Sequence, residues 1–491
     1  EEHIRALERL ICTHGIGGLC FFHSRASAAA NFEGKQEVTY HPDSLQRLKE
    51  LIQRYQESAS HPLLIAIDAE WGLAMRVEQA PQYPYAGTLG ALNESSESLI
   101  YEVGLSIARD CRHAGIHWNF APVVDINTNP DNPVIGFRAF GNLPDGVLRK
   151  ARQMVRGLAD GGVLSCLKHF PGHGDTAVDS HLDLPVLEKK LKSLEATELR
   201  PFRELIREGA PTVMMGHLAV PGLDQSGLPA SLSKTAIDLL RESMGFQGVV
   251  VTDALNMHAL HRFDRNPAHI NHRAYKAGND ILCFAEDIPE SMDAILSNTE
   301  DERLEASFRR IWELKEKVFT SEKSPGQPAW SWQELNRELA PRCLTEMGAK
   351  GVALESFRRE PFSILYYGER PKTFLDGIGS SSAQEMAWTS DLKIPEITNV
   401  LFALNPPRMK PAEHFGLPVS FLEALRELTT KRQVVLYLFG NPYLLRQLPP
   451  DLFQTVVCAF QPLMAFQEAA AAQFLGKIRA EGELSIDLDH G

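Results

Sequence analysis

Residues 168–181, KHFPGHGDTAVDSH, set three histidines, two aspartates and a lysine within fourteen positions, interrupted by Pro171, Gly172 and Gly174. Two chemistries are open to such a segment. His169 and His173 stand four apart, the spacing of two zinc ligands on one helix face. Pro171 and Gly172 lie between them, where a helix would lose a hydrogen bond and meet a steric clash. The geometry that gives the spacing meaning is therefore absent, and no metal is expected. Asp179 and His181 read differently. Residues i and i+2 of an extended segment point to the same side, so the Asp179 carboxylate can reach the His181 imidazole, fix its tautomer and stabilise its charged form. With an ordinary pKa near ~6.5, such a histidine gives and recovers a proton at neutral pH. Taken alone, the pair is also what a turn uses to hold a loop histidine in place.

Other polar groups end apolar runs: Asp68 in PLLIAIDAE, Asp125 in IHWNFAPVVD, Lys168 and His169 in GVLSCLKHF, His217 in PTVMMGHLAV and Asp253 in GVVVTDALN. With IGGLCFF and DILCFAED these runs number seven, and amphipathic stretches such as DSLQRLKELIQRYQES and SSESLIYEVGLSIARDCRHAG separate them. Strands alternating with helices imply parallel pairing. Over residues 1–320 they predict a (β/α)8 TIM-type barrel whose first strand is missing from the chain, because EEHIRALERLI already reads as the helix after it. The C-terminal ends of barrel strands converge on one face, which would bring the polar residues together. An open doubly wound sheet is the alternative, and it too collects function at strand C-termini. Residues 321–345, opening with SEKSPGQPAWSW, read as a linker. From 346 to 491 the runs FSILYYG, NVLFALN, RQVVLYLFG and TVVCAFQ, with helices between, predict a smaller α/β sandwich in which 376–394 is hard to place.

Composition limits the partners. The chain has 491 residues, 44% of them hydrophobic and 23% charged, as in ordinary globular proteins. No apolar run approaches ~18 residues, so no membrane span is expected. A net charge of −13 argues against a nucleic-acid partner, which would want a basic face. The seven cysteines form no CxxC pair, and several sit in apolar runs, as Cys20 and Cys283 do. Buried thiols favour a reducing, cytoplasmic setting. The chain opens on Glu1 rather than Met, so a removed leader, with a periplasmic or lipoprotein form, is the alternative.

The 168–181 segment resembles the signature of family-3 glycoside hydrolases of the bacterial β-N-acetylglucosaminidase branch. NFAPVVDINTNPDNPVIGFRAFG (119–141) resembles the family's segment ahead of it, and LPASLSKTAIDLLRESMGFQGVVVTDALNMHAL (228–260) resembles the one carrying its nucleophile. The match covers almost all of residues 1 to 320 in the family's order, and the trailing sandwich resembles one that many members carry. The resemblance implies a retaining enzyme that needs no cofactor and removes terminal β-linked N-acetylglucosamine from cell-wall muropeptides or chitin-type fragments. It makes Asp253 the nucleophile, His181 the acid/base with Asp179 as partner, and Asp68, Arg138, Lys168 and His169 the groups that bind sugar hydroxyls. Asp253 suits its part by ending an apolar strand, though it could also cap the next helix. Asp68 and Lys168 could share a hydroxyl as acceptor and donor, or simply pair as ions. His173 and His217 read as structural. Where many relatives read D-Q-E-G-G-R, this chain reads DAEWGLAMR, so Leu73 falls on the arginine's place and Trp71 offers an aromatic face to a sugar ring.

Three other functions compete with that one. An imidazole base does not repel an anion such as phosphate as a carboxylate would, so a phosphorylase using the same residues is one alternative. A β-glucosidase of the same family is another, against which DSH weighs, because that branch is expected to take a carboxylate acid from a later domain. A sugar-binding protein that has lost catalysis would be expected to lack Asp253 or the Asp179–His181 pair, and both are present.

Overall fold

In the computed structural model, which describes residues 1–22, 39–178, 183–320, 324–348, 354–379, 385–389 and 399–488, the seven apolar runs of the first part become six short strands and a bridge. The strands are β1 (Gly18–Phe21), β2 (Leu64–Ile67), β3 (Trp118–Asn119), β4 (Leu167–Phe170), β5 (Thr212–Met215) and β6 (Val249–Thr252). They pair in parallel and in chain order, as β1-β2-β3 and β4-β5-β6. Single bridges from Trp118 to Leu164 and from Val251 to Ile281 join the two sheets and extend the second. The expected closed ring is not completed by ladder pairing among the described residues, which runs from β1 to Ile281. The helix Glu2–His14 falls where EEHIRALERLI predicts one.

Both faces of these strands are covered, which is why their sequences are nearly continuous apolar runs. Leu64, Ala66, Trp118, Met214, Val249 and Val251 share one buried cluster. Their alternating neighbours Ile65, Ile67, Val213, Met215 and Val250 belong to the larger core that includes the helices. Those helices sit close. In the pair Leu99–His113 and Pro144–Asp160, a Cβ added at Gly157 would lie 2.2 Å from the Tyr101 carbonyl oxygen, so alanine there would force the two apart.

The second part holds β7 (Thr345–Met347), β8 (Phe362–Tyr367), β9 (Glu385–Ala387), β10 (Asn399–Leu404), β11 (Gln433–Leu438) and β12 (Thr455–Cys458) in one sheet of order β7-β12-β11-β10-β8-β9. Only β7 runs antiparallel, against β12. Strands β8, β10, β11 and β12 coincide with the four expected runs, and β10 is buried throughout. Of the stretch 376–394, residues 380–384 and 390–394 lie outside the described residues, and β9 accounts for part of the rest.

The linker reading of 321–345 needs correction. Trp332–Cys343 is a helix, opened by a capping box in which Ser331 and Glu334 satisfy each other's backbone amides. It buries Leu335 and Leu339 and packs on both parts of the chain, touching the helices Met464–Phe474 and Leu99–His113. Asn336 donates to the Gln82 carbonyl at 2.8 Å. Among the described residues, no helix is long and apolar enough to cross a membrane.

Candidate active site

The strand ends of the first part deliver a buried ionic cluster. Lys168, on β4 and 1% exposed, donates from Nζ to Asp68 Oδ1 at 2.8 Å and lies 2.7 Å from Glu70 Oε1. Arg138 grips Glu70 with two bonds, Nε to Oε2 at 3.0 Å and an Nη2 bond to Oε1 at 2.8 Å. Arg76 reaches the other Asp68 oxygen at 3.0 Å. Burial alone would raise both carboxyls. Lys168 and Arg76 overcome it at Asp68, and Arg138 and Lys168 at Glu70, so both lie below the ordinary carboxylate range. Burial likewise disfavours the charge on Lys168, and Asp68 and Glu70 reverse that, so it stays protonated.

A second carboxylate organises the histidines. Asp125, fully buried, accepts from His169 Nδ1 at 2.8 Å and from the His173 amide at 2.8 Å. Since the carboxylate can only accept, His169 carries its proton on Nδ1, which leaves Nε2 to receive the Arg138 guanidinium at 3.4 Å. The His173 ring meets the His169 ring edge-on at 6.0 Å, and its Nδ1 lies 2.7 Å from the Thr176 hydroxyl; burial lowers it to about 4, so it is neutral at pH 7. Residues 171–178 lie against the segment after Asp125. Asn132 donates to the His173 carbonyl at 2.8 Å, Asn129 to the Thr176 carbonyl at 3.1 Å, and Thr128 to Asp175 at 2.7 Å. At Gly174 an added Cβ would lie 1.9 Å from the Ile126 carbonyl oxygen, so this contact requires glycine.

Asp253 follows β6. Its amide bonds the Met215 carbonyl at 2.9 Å and its Oδ1 accepts the Ala254 amide at 2.8 Å, which fixes the carboxylate plane. Burial pushes the carboxyl up, but His169, His217, the Ala254 amide and Lys168 outweigh it and leave it at about 2. Beside it, His217 donates from Nε2 to the Ala254 carbonyl at 2.9 Å and receives the Ser231 hydroxyl on Nδ1 at 2.7 Å. Burial lowers its pKa.

The fold thus gathers Asp68, Lys168, His169 and Asp253 at one place, as their strand-end positions predict, and adds Arg138 from the short turn Gly136–Arg138. Asp179 and His181 lie outside the described residues. Glu70 was not foreseen, although it sits in the same DAE run as Asp68 and its partner Arg138 is far along the chain. Asp125 was legible as a strand-end acid but not as the group that orients His169. The departure at Leu73 does not leave Asp68 short of an arginine: the short turn Leu73–Met75 brings Arg76 round to it. The sugar-stacking face expected of Trp71 is corrected outright. Its side chain is 2% exposed and packs edge-on against Tyr85 at 4.9 Å, with Phe137 behind. Trp71 follows Glu70 and Phe137 precedes Arg138, so this aromatic contact ties together the two backbones whose side chains pair.

Residues 4–314 match the glycosyl hydrolase family 3 N terminal domain. The chain belongs to that family. The chain is 34% identical over 382 residues to "Beta-hexosaminidase A" of Pseudoalteromonas piscicida, an alignment spanning 70% of this chain and 62% of the relative, so the chain spans less than two thirds of that relative's length. A "Beta-hexosaminidase" of Hydrogenovibrio crunogenus is 33% identical over 278 residues, covering 55% of this chain and 76% of its own. The solved family-3 β-N-acetylglucosaminidase of Paenibacillus sp. str. FPU-7 superposes with a TM-score of 0.78 at 28% identity, covering 99% of this chain and 95% of that one. The chain is therefore an α/β member of this family, with two largely parallel-sheet parts that match a solved family-3 structure over 99% of this chain.

Proposed function

We propose that this chain is a retaining β-N-acetylglucosaminidase that removes terminal, non-reducing β-linked N-acetylglucosamine from cell-wall muropeptides or chitin-type fragments. Asp253 carries the reading: a half-buried carboxylate, ionised above about 2, set beside a cluster of groups able to bind hydroxyls. The names of its relatives support the choice of sugar. In the first step the Asp253 carboxylate attacks the anomeric carbon while the bond to the leaving oxygen breaks, and His181 gives that oxygen a proton. Water then attacks the glycosyl-enzyme, returning the proton to His181 and freeing Asp253. Asp179 holds the His181 ring and stabilises its charge. Asp68 accepts from sugar hydroxyls, Lys168 and Arg138 donate to them, and His169 is the fourth group that binds them.

Residues 1–320 are read as a catalytic (β/α) barrel and 346–491 as the appended sandwich. Sequential parallel order and the bridges at Leu164 and Ile281 favour the barrel, as does one apolar cluster that takes in Cys20 of β1 as well as Ile281. Turnover of p-nitrophenyl N-acetyl-β-glucosaminide tests the activity, and trapping with a 2-deoxy-2-fluoro glycoside tests the nucleophile. Label is expected on Asp253; label on another carboxylate would overturn the assignment. Running the reaction in inorganic phosphate separates hydrolysis from phosphorolysis, because the latter yields the sugar 1-phosphate.

A further inference from the structure

Nothing in the catalytic scheme uses the second part of the chain, yet it touches the first part beside Arg138. The turn Pro442–Arg446 follows β11 and is capped by Asn441, whose Oδ1 accepts the Tyr443 amide at 3.1 Å and whose Nδ2 donates to the Met409 carbonyl at 2.9 Å. Tyr443 is buried, and its hydroxyl donates to the Asn127 carbonyl at 2.9 Å. Burial pushes the phenol up to about 12, so it remains a donor throughout the neutral range.

Asn127 is a hub with every polar group engaged. Its amide donates to the Gly141 carbonyl at 3.1 Å, its Nδ2 to the Asn129 carbonyl at 3.1 Å, and its Oδ1 accepts the Gly136 amide at 2.9 Å. These bonds hold both ends of the segment that contains the short turn Gly136–Arg138. A narrow, largely apolar cavity between the two parts is lined by Gly136, Phe137, Met409, Asn441 and Tyr443, so the second part covers that turn directly.

We propose that Tyr443 is a positioning residue for substrate binding: its hydroxyl fixes the Asn127 carbonyl, and through Asn127 it sets the turn that aims Arg138 into the sugar pocket. This rests on the reading of Arg138 as a sugar-binding group. Without the hydroxyl, the Asn127 carbonyl is left buried and unpaired, and it gains a partner only by moving. Tyr443 therefore makes the second part a component of the binding site although no side chain of it need touch the sugar.

Tyr443→Phe in the full chain removes only that hydroxyl. KM for p-nitrophenyl N-acetyl-β-glucosaminide should rise about tenfold with kcat changed less than about twofold, the signature of a misplaced binding group. A merely structural loss would instead lower the active fraction, reducing kcat at constant KM. Tyr437→Phe is the control. It deletes another buried tyrosine hydroxyl of the second part, bonded to Gln473 away from the interface, and should leave KM unchanged. On an Arg138→Ala background, Tyr443→Phe should raise KM no further. Unchanged KM in Tyr443→Phe, or an additive rise on that background, would overturn the proposal. If the wild-type chain does not turn over N-acetylglucosaminides, the functional reading fails, and hydrogen exchange decides Tyr443 by itself. Amides of 126–141 should then exchange about tenfold faster in Tyr443→Phe than in Tyr437→Phe, and equal rates would refute the coupling.

Discussion

At the scale of single residues, the site separates groups that must carry charge from groups that must not. Asp253 is ionised down to about pH 2, so protonation of this proposed nucleophile should not limit kcat/KM on the acid side until the fold itself is lost. On the proposed reading the alkaline limb belongs to His181, and activity should fall as an imidazole titrates, near pH ~6.5. Asp253→Asn keeps the shape and the Ala254 bond but cannot form a glycosyl-enzyme. Steady-state turnover should drop at least about 10⁴-fold, while binding of N-acetylglucosamine, measured by calorimetry, stays nearly intact. His181→Ala should slow glycosylation by roughly 10²–10⁴-fold for poor leaving groups, which need a proton, and far less for good aryl ones. Presteady-state rates across a series of leaving groups measure this. An equal loss for all of them would remove His181 from proton transfer.

Elements, rather than residues, decide whether these groups meet. Residues 171–178 hold no regular structure and are pinned to the segment after Asp125 by three asparagine and threonine side chains and by the close approach at Gly174. Gly174→Ala inserts a methyl where only 1.9 Å separates its Cβ from a backbone oxygen, so the loop must lift. Activity should fall about 100-fold, the cost of roughly an ångström of misplacement. The melting temperature should change little, since the loop contributes little apolar burial. Calorimetry alongside kinetics distinguishes this from general unfolding. The helix Trp332–Cys343 makes the complementary point. Its capping box and its leucines at helical spacing were present in a stretch that polar, proline-bearing composition made look like a linker.

For the whole molecule, pH dependence of stability follows from histidines buried in neutral form. Burial lowers His173 and His117 to about 4, against about 6.5 in the unfolded chain. Between those values the unfolded chain binds protons that the folded chain refuses, so stability rises with pH across this window and is lost as pH falls through it. For fully buried His173 the shift amounts to about 3 kcal/mol. The paired carboxylates Asp68, Asp125 and Asp253 are depressed instead, so what they add is lost only below about pH 4. Melting temperature should therefore drop between pH ~6.5 and ~4, before those acids titrate, and His173→Gln should flatten that slope. A flat wild-type profile down to pH ~4 would contradict the assignment of neutral buried histidines.

Read alone, the sequence placed the six strands of the first part in order, and β8, β10, β11 and β12 of the second, because a buried parallel strand needs a continuous apolar run and a sheet-facing helix needs a three- and four-residue repeat; β7 and β9 were not legible. It also determined the family, since the histidine-rich loop and the two flanking segments are local in the chain. Pairing between distant segments was not legible. Glu70 with Arg138, Asp125 with His169 and Tyr443 with Asn127 are contacts between side chains or backbone groups that spacing cannot bring together. The burial of Trp71 was hidden for the same reason. An aromatic residue beside a catalytic motif can face the sugar or the core with equal local plausibility, and only the arrival of Tyr85 and Phe137 on its ring, once the strands and helices had packed, turned it inward.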